Sequence, residues 1–256
     1  MTRTSTIRRT LAALAVATAG LAATAGLGTT PAGAGVSEAC EEPDEATDFV
    51  CRAYESFPRR GATTAEVEYW APQMPARRTF FIATLARSLE SREETVVAYY
   101  GQFLDGEAPS EADIDYWVGE VLKPNGLRRL EATLSSVLGG TVPDWVQAMY
   151  AQYLDREAEP AELTYWTGRV ATRGRNLTAA DIAYTPEARG LRVHWTFANE
   201  LQYLPDNVSR DYWAERLRTG TSWLDMRIAL RSSADGYAQS TGLCSPSAPR
   251  TGPYCI

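Results

Sequence analysis

Between residues 49 and 237, apolar residues recur at intervals of three and four positions, with polar residues between them. This spacing places apolar side chains on one face of an α-helix and therefore predicts a series of amphipathic helices. Two of the clearest apolar sets are Val96, Val97, Tyr99, Tyr100, Phe103 and Leu104, and Leu127, Leu130, Leu134 and Leu138. The pattern predicts an all-α fold.

A tyrosine-tryptophan pair recurs four times, as Tyr69-Trp70, Tyr116-Trp117, Tyr165-Trp166 and Tyr212-Trp213. The tryptophans lie 47, 49 and 47 residues apart, and they are four of the seven tryptophans in the chain. Such a period is typical of stacked units that bury their apolar faces against their neighbours. It predicts a helical repeat array of about four three-helix units of roughly 48 residues, at 49–94, 95–142, 143–190 and 191–237.

Each pair is predicted to lie in a helix with a defined start. Seven residues before the tryptophans stand Thr63, Ser110, Glu159 and Asp206, three of which are good N-caps. Three residues after each cap stand Glu66, Asp113, Glu162 and Ser209, and Thr63 with Glu66 fits a capping box. Apolar residues such as Val67 and Met74 flank the tryptophans at helical spacing.

The two aromatic residues of each pair are expected to have different environments. The flanking apolar residues favour a structural role in the repeat core for Trp70, Trp117, Trp166 and Trp213. The preceding tyrosines lie one step around the helix, at a boundary where the hydroxyl stays in water. They form a possible binding surface that comprises Tyr69, Tyr116, Tyr165 and Tyr212. An exposed platform on which sugar rings stack is the alternative for both aromatic types.

The pattern Tyr-x3-Leu-x-Arg, a polar turn, Tyr-Trp and a small helix ending in Ser/Thr-Pro-Glu resembles a bacterial extracellular repeat family, domain of unknown function 4214. The third copy matches through Tyr150, Leu154, Arg156, Tyr165-Trp166 and Thr185-Pro186-Glu187. The second copy has Gly106 at the arginine position, and Glu66, Asp113, Glu162 and Ser209 replace the family's usual glycine. The resemblance spans 49–237 and implies an all-helical fold and a secreted or cell-surface setting. It implies no activity.

The two ends of the chain differ from its middle. Residues 1–34 resemble a secretory signal, with arginines first, an apolar run next and the small residues 32–34 at the cleavage site. Residues 35–48 are acidic, and residues 238–256 are rich in proline, serine and glycine. No later stretch approaches the roughly 18 apolar residues of a spanning helix, so no transmembrane segment is expected.

The net charge makes negatively charged partners less favourable. Removal of the signal removes three arginines and no acid, so 22 basic and 32 acidic residues leave a net charge of −10. Nucleic acid and anionic lipid are therefore not expected as partners.

Four cysteines lie at the two ends of the mature chain: Cys40, Cys51, Cys244 and Cys255. Each terminal pair is separated by 11 positions, and export would place it in an oxidising compartment. Local bridges are preferred over bridges that join the termini, and each would stabilise by roughly 3 kcal/mol. They would close the open ends of a repeat stack. A metal site is the other interpretation, but the spacing lacks C-x2-C and the chain has one histidine.

The sequence contains few candidate residues for catalysis or metal binding. The lone His194 has no nearby nucleophile motif, and the serine-hydrolase, zinc-protease and phosphate-loop signatures are absent from the sequence. The acidic turns invite a calcium interpretation, but their spacing does not match an EF-hand loop, and Arg156 is expected to pair with a neighbouring acid. We therefore expect no catalytic, cofactor-binding or metal-binding residues.

The resulting expectation is a secreted, extracellular or cell-surface protein that acts as a non-enzymatic binding or structural module. Its partner would be a protein or an envelope polysaccharide. The alternative is an extracellular polysaccharide hydrolase that uses acidic side chains. Because Glu66, Asp113 and Glu162 recur at one helix-start position, a capping role is favoured over catalysis. The oligomeric state does not follow from the sequence.

Overall fold

The structure is a computed structural model that describes residues 37–41, 43–104 and 106–238. All regular elements in this part of the chain are helical, which confirms the all-α prediction. The α-helices are α1 (Glu45–Ser56), α2 (Thr64–Trp70), α3 (Arg78–Ala86), α4 (Leu89–Phe103), α5 (Glu111–Glu120), α6 (Gly126–Ser136), α7 (Val142–Leu154), α8 (Pro160–Ala183), α9 (Pro186–Leu201), α10 (Asn207–Arg218), α11 (Trp223–Arg231) and α12 (Ala234–Ala238). Short 3-10 helices cover Glu38–Cys40 and Ala71–Gln73.

Most helices begin at a polar residue whose side chain accepts a backbone N–H of the first turn, which would otherwise lack a partner. These residues are Asp44, Thr63, Ser88, Ser110, Thr141, Thr185, Asp206 and Ser222. The caps start the helices before the apolar pattern becomes strong. For this reason the predicted boundaries at 48/49, 94/95, 142/143 and 190/191 all lie inside helices, namely α1, α4, α7 and α9.

The helix α8 is broken by a kink at Gly174, where φ is 76° and ψ is 167°. This backbone conformation is nearly restricted to glycine because a Cβ atom would clash with the adjacent peptide groups. After the kink, Thr178, Ala179, Ile182 and Ala183 are buried. The kink therefore lets one continuous segment bury two separate faces.

Buried apolar residues form three clusters. The largest is built by α4 to α8 and the start of α9, and its most buried side chains include Trp145, Leu130, Met149 and Ile182. A second cluster is built by α1 to α3 together with Ile228 from α11. The third lies between α9, α10 and α11. The core thus follows the chain order, except that the first and last helices share a cluster.

The first helices pack against the last ones, a contact that the predicted repeat array with disulfide-closed ends did not include. The helix α3 contacts α11, and α1 contacts α12. The rings of Phe49 and Tyr237 lie 5.0 Å apart, and Arg78 donates from Nε to the Ser232 carbonyl at 2.8 Å. With so few helices, the apolar faces at the two ends can cover one another, so neither end needs a separate cap.

A disulfide joins Cys40 to Cys51 and ties the first 3-10 helix to α1, which confirms the local pairing predicted for this end. The other two cysteines, Cys244 and Cys255, lie outside the described residues, as do the predicted signal 1–34 and the tail beyond Ala238. Among the helices that are described, none is both long and apolar enough to cross a membrane.

Candidate binding surface

The four tyrosine-tryptophan pairs lie in α2, α5, α8 and α10. Neighbouring residues on a helix point about 100° apart, so a tryptophan that faces the core leaves its tyrosine at the boundary. In each pair the two rings meet edge to face, with centroids 4.9, 5.0, 4.9 and 5.4 Å apart in chain order. The exposed fractions of Tyr69, Tyr116, Tyr165 and Tyr212 are 61%, 59%, 58% and 55%.

The four tryptophan side chains are buried to different extents. Trp117 and Trp166 are buried in the largest cluster, and the Trp166 indole N–H donates to the Tyr150 hydroxyl at 2.7 Å. Trp70 and Trp213 are half-buried at the edges of their clusters, which differs from the full core position expected for all four. Trp70 lies at the last position of α2, and its ring centroid is 4.7 Å from that of Phe81.

At the N-terminal end of each of the first three helices that carry a pair, a carboxylate accepts a backbone N–H. The backbone N–H groups of Thr63, Ser110 and Glu159 donate to the carboxylates of Glu66, Asp113 and Glu162 at 2.8, 3.1 and 2.9 Å. Each acid thus satisfies a backbone donor that the helix leaves without a partner. This placement gives the recurring acids a structural role.

In the third unit the arginine of the turn binds two of these acids. Arg156 donates both Nη atoms to Glu162 at 2.8 Å, and it donates Nε to Glu187 at 2.7 Å. Its guanidinium also lies 5.0 Å from the ring centroid of Tyr150. The hydrogen bonds from Arg156 lower the pKa of Glu162 to about 2. This confirms the predicted pairing of Arg156 with neighbouring acids, and it joins the start of α8 to the start of α9.

The turn before α2 contains the same arrangement. Arg60 donates its two Nη atoms to Glu66 at 2.8 and 2.7 Å and its Nε to Glu90 at 2.6 Å. Its guanidinium lies 4.9 Å from the ring centroid of Tyr54. Bidentate pairing of this kind uses the planar geometry of arginine, which lysine lacks. We call each such group of an arginine, its two glutamates and its tyrosine an arginine clamp.

A groove of about 480 Å³ lies between α9 and α10, and its lining includes Arg189, His194, Arg210 and Asp211. Arg210 is paired with Asp211 at 2.7 Å. Burial, and to a smaller extent the charge of Arg210, lower the pKa of His194, so the imidazole is neutral at pH 7. The groove presents hydrogen-bonding groups rather than a strong net charge. Sequence reasoning missed it because it exists only where two separate helices meet.

Two buried ion pairs were also missed, since their partners are far apart in sequence. Glu131 accepts from Arg192 at 2.7 and 3.0 Å, and their side chains are 5% and 11% exposed. Glu200, 1% exposed, accepts a single hydrogen bond from Arg227 Nε at 2.5 Å. The guanidinium groups of Arg192 and Arg227 lie 5.4 and 5.5 Å from the Trp223 ring. These contacts connect α6, α9 and α11.

The tyrosines of the four pairs form a set of exposed aromatic side chains on the described helices. In the part of the chain that the structure describes, no group of three or more histidine, cysteine, aspartate or glutamate residues is placed to hold a metal ion. What the site does offer is a set of exposed aromatic faces held on rigid helices. No family model, curated protein or solved structure matches this chain.

Proposed function

We propose that the protein is a secreted, non-enzymatic binding module that acts outside the cell or at its surface. In this proposal four helical units each present one tyrosine of a tyrosine-tryptophan pair to a protein or an envelope polysaccharide. The resemblance to the domain of unknown function 4214 family supports the same setting. The disulfide between Cys40 and Cys51 is compatible with an oxidising compartment.

The observation that carries the proposal is the exposure of the four tyrosines. More than half of each side chain is in solvent, although each ring rests edge to face on a tryptophan. An aromatic ring that is already ordered loses little conformational entropy when a partner covers it. Tyrosine also combines an apolar face with a hydroxyl, and it is enriched at protein interfaces for that reason.

The recurring acids support binding over hydrolysis. A glycosidase needs one carboxylic acid with a raised pKa to protonate the leaving group. Hydrogen bonds from Arg156 lower the pKa of Glu162 instead, and those from Ser110 lower the pKa of Asp113. Both residues are thus held as carboxylates by the groups that close the helix starts, which suits a structural role.

Co-sedimentation with isolated bacterial cell envelopes tests the proposal. The purified protein is expected to pellet with the envelopes, with and without a calcium chelator. A variant in which alanine replaces Tyr69, Tyr116, Tyr165 and Tyr212 is expected to stay in the supernatant. Its helix content and melting temperature, measured by circular dichroism, must match those of the wild type.

The control is a second fourfold alanine variant at other exposed apolar residues, namely Phe80, Val137, Leu204 and Val208. It removes a similar exposed apolar surface and is expected to pellet like the wild type. Equal retention of the tyrosine variant and the control would refute the role of the tyrosines. Loss of wild-type retention on chelation alone would show that calcium, and not the aromatic surface, holds the protein on the envelope.

A further inference from the structure

In both arginine clamps, the guanidinium lies between a tyrosine ring and a carboxylate. We call such a pair of a tyrosine ring and a carboxylate a cation seat. In each, a tyrosine ring lies under the guanidinium, and the carboxylate three residues after the helix cap accepts its hydrogen bonds. An aromatic face and a carboxylate on the same side favour a guanidinium through cation–π attraction and charge-assisted hydrogen bonds.

The second unit has the seat without the arginine. Here Asp113 accepts hydrogen bonds from the backbone N–H and the hydroxyl of Ser110 at 3.1 and 2.6 Å. The turn is one residue longer, since Asp113 follows Tyr100 by 13 positions, whereas Glu66 and Glu162 follow their tyrosines by 12. Burial and, after it, the nearby Asp113 carboxylate raise the pKa of Tyr100. Gly106 stands where the other two units have arginine, six residues after the tyrosine. Within the described residues, no cationic side chain is paired with Asp113. The unit therefore has the ring and the carboxylate, while none of the described residues supplies the cation found between them in the other two units.

The fourth unit shows a different solution. Phe197 and Ser209 replace the tyrosine and the carboxylate, and Tyr203 stands at the arginine position. The rings of Phe197 and Tyr203 meet edge to face at 5.8 Å. An aromatic contact thus fills the place of the cation there, and a serine carries no charge that would attract one. A tyrosine and a carboxylate without an arginine from the turn between them thus occur in the second unit.

The stretch of chain that contains this seat is acidic. Residues 93–122 contain eight acids and no lysine, arginine or histidine. Glu107, Glu111 and Asp115 are exposed near the seat in sequence, and so is Tyr116 of the aromatic pair. A surface with one sign of charge attracts and orients a partner of the opposite sign.

We propose that the seat formed by Tyr100 and Asp113 binds an arginine side chain of a basic protein partner. The guanidinium would take the place that Arg60 and Arg156 take in their own units, flat on the ring and bonded to the carboxylate. The inference rests on the proposed function and names the partner as a protein rather than a polysaccharide. The acidic residues around the seat complement further basic residues of that partner.

A titration with N-acetyl-arginine amide, followed by ¹H–¹⁵N NMR of the whole protein, tests the inference. We expect saturable shifts at the backbone amides of residues 106–117 and at the Trp117 indole N–H. The amides of Glu66 and Glu162 are expected to stay unmoved, because internal arginines fill their seats. N-acetyl-citrulline amide has the same length without the charge and is expected to cause no shift.

Two variants complete the test. The substitution Asp113→Asn is expected to weaken binding at least about fivefold, whereas Asp144→Asn, which changes the corresponding acid of a capping box without such a tyrosine, leaves it unchanged. The substitution Arg156→Ala is expected to open the seat of the third unit, so that the same probe then shifts the Glu162 amide. Equal shifts with citrulline, or equal affinity of Asp113→Asn and wild type, would overturn the inference.

The outcomes separate this inference from the proposed function. The titration uses no envelopes, so a tyrosine variant that still pellets would refute the proposed function without changing the NMR result. If the tyrosine variant loses retention while the arginine probe fails to bind at the Asp113 seat, the proposed surface stands and the arginine partner is wrong.

Discussion

At the residue scale, the tyrosine-tryptophan pair places two similar side chains in opposite environments. Trp166 is 9% exposed and donates its indole N–H to Tyr150 at 2.7 Å, whereas Tyr165 beside it is 58% exposed. The difference follows from the rotation of about 100° between neighbouring positions on a helix. The edge-to-face contact between the rings fixes the tyrosine without burying it, which keeps its face available to a partner.

The substitution Trp166→Ala is expected to destabilise the protein by about 3–5 kcal/mol, because it leaves a large cavity and removes the partner of the Tyr150 hydroxyl. Urea unfolding measures this change. The neighbouring substitution Tyr165→Ala is the control and is expected to cost less than about 1 kcal/mol, since it removes a mostly exposed ring. Equal costs at the two positions would contradict the different burial of the two rings.

At the element scale, polar residues decide where helices begin, and one glycine decides how the longest helix is divided. The caps at Ser88 and Thr185 start α4 and α9 ahead of their apolar faces. The arginine clamps then join helix starts: Arg156 links the start of α8 to that of α9, and Arg60 links the start of α2 to that of α4. In α8, the conformation of Gly174 turns the second half of the helix toward the core.

Alanine substitutions at two glycines of α8 distinguish the effect of backbone strain from the effect of side-chain packing. An added Cβ would meet no atom within 4 Å at either Gly168 or Gly174. We expect Gly174→Ala to destabilise by about 1–3 kcal/mol because of its positive φ, and Gly168→Ala, in regular helix, to stabilise by about 0.5–1 kcal/mol. Thermal or urea unfolding of the two variants measures both effects. A neutral Gly174→Ala would mean that α8 can straighten without cost.

At the scale of the whole molecule, contacts between distant segments close the helices on themselves. The helices α3 and α11 pack together, and buried ion pairs connect α6 and α11 with α9. A buried ion pair adds little stability compared with an apolar pair of the same shape, but the loss of one partner leaves the other charge uncompensated. These contacts make the closed arrangement specific, because they are satisfied only when the helices are in register.

The substitution Glu131→Gln is expected to destabilise the protein by about 3–5 kcal/mol, because Arg192 would keep its buried charge without a counter-ion. The comparison is Arg87→Ala, which breaks the pair of Arg87 with Asp225 between α3 and α11. Those side chains are 44% and 49% exposed, so the loss is expected to stay below about 1 kcal/mol. Chemical denaturation measures both changes, and similar costs would show that the buried charge is compensated by other groups.

Much of the candidate surface could be predicted from the sequence, because the positions of the aromatic pairs follow from helical spacing alone. The expected boundary position of the tyrosines and the pairing of Arg156 with acids depend on residues close in sequence. The different burial of Trp117 and Trp213 could not be predicted from the sequence. The two residues stand at equivalent positions of the sequence pattern and differ only in the residues that pack against them. The four-unit repeat, the signal and secretion stay predictions.

By itself the sequence determined the helical class, several helix-start residues and the exposed position of the four tyrosines, and it favoured the local bridge between Cys40 and Cys51. These features depend on side chains within a few turns of one another, where spacing and propensity decide the outcome. Only the tertiary structure decided the closure of α3 on α11, the groove at His194 and the partners of Glu131 and Glu200. Such contacts depend on how whole apolar faces pack, and many distant pairings satisfy the same local pattern.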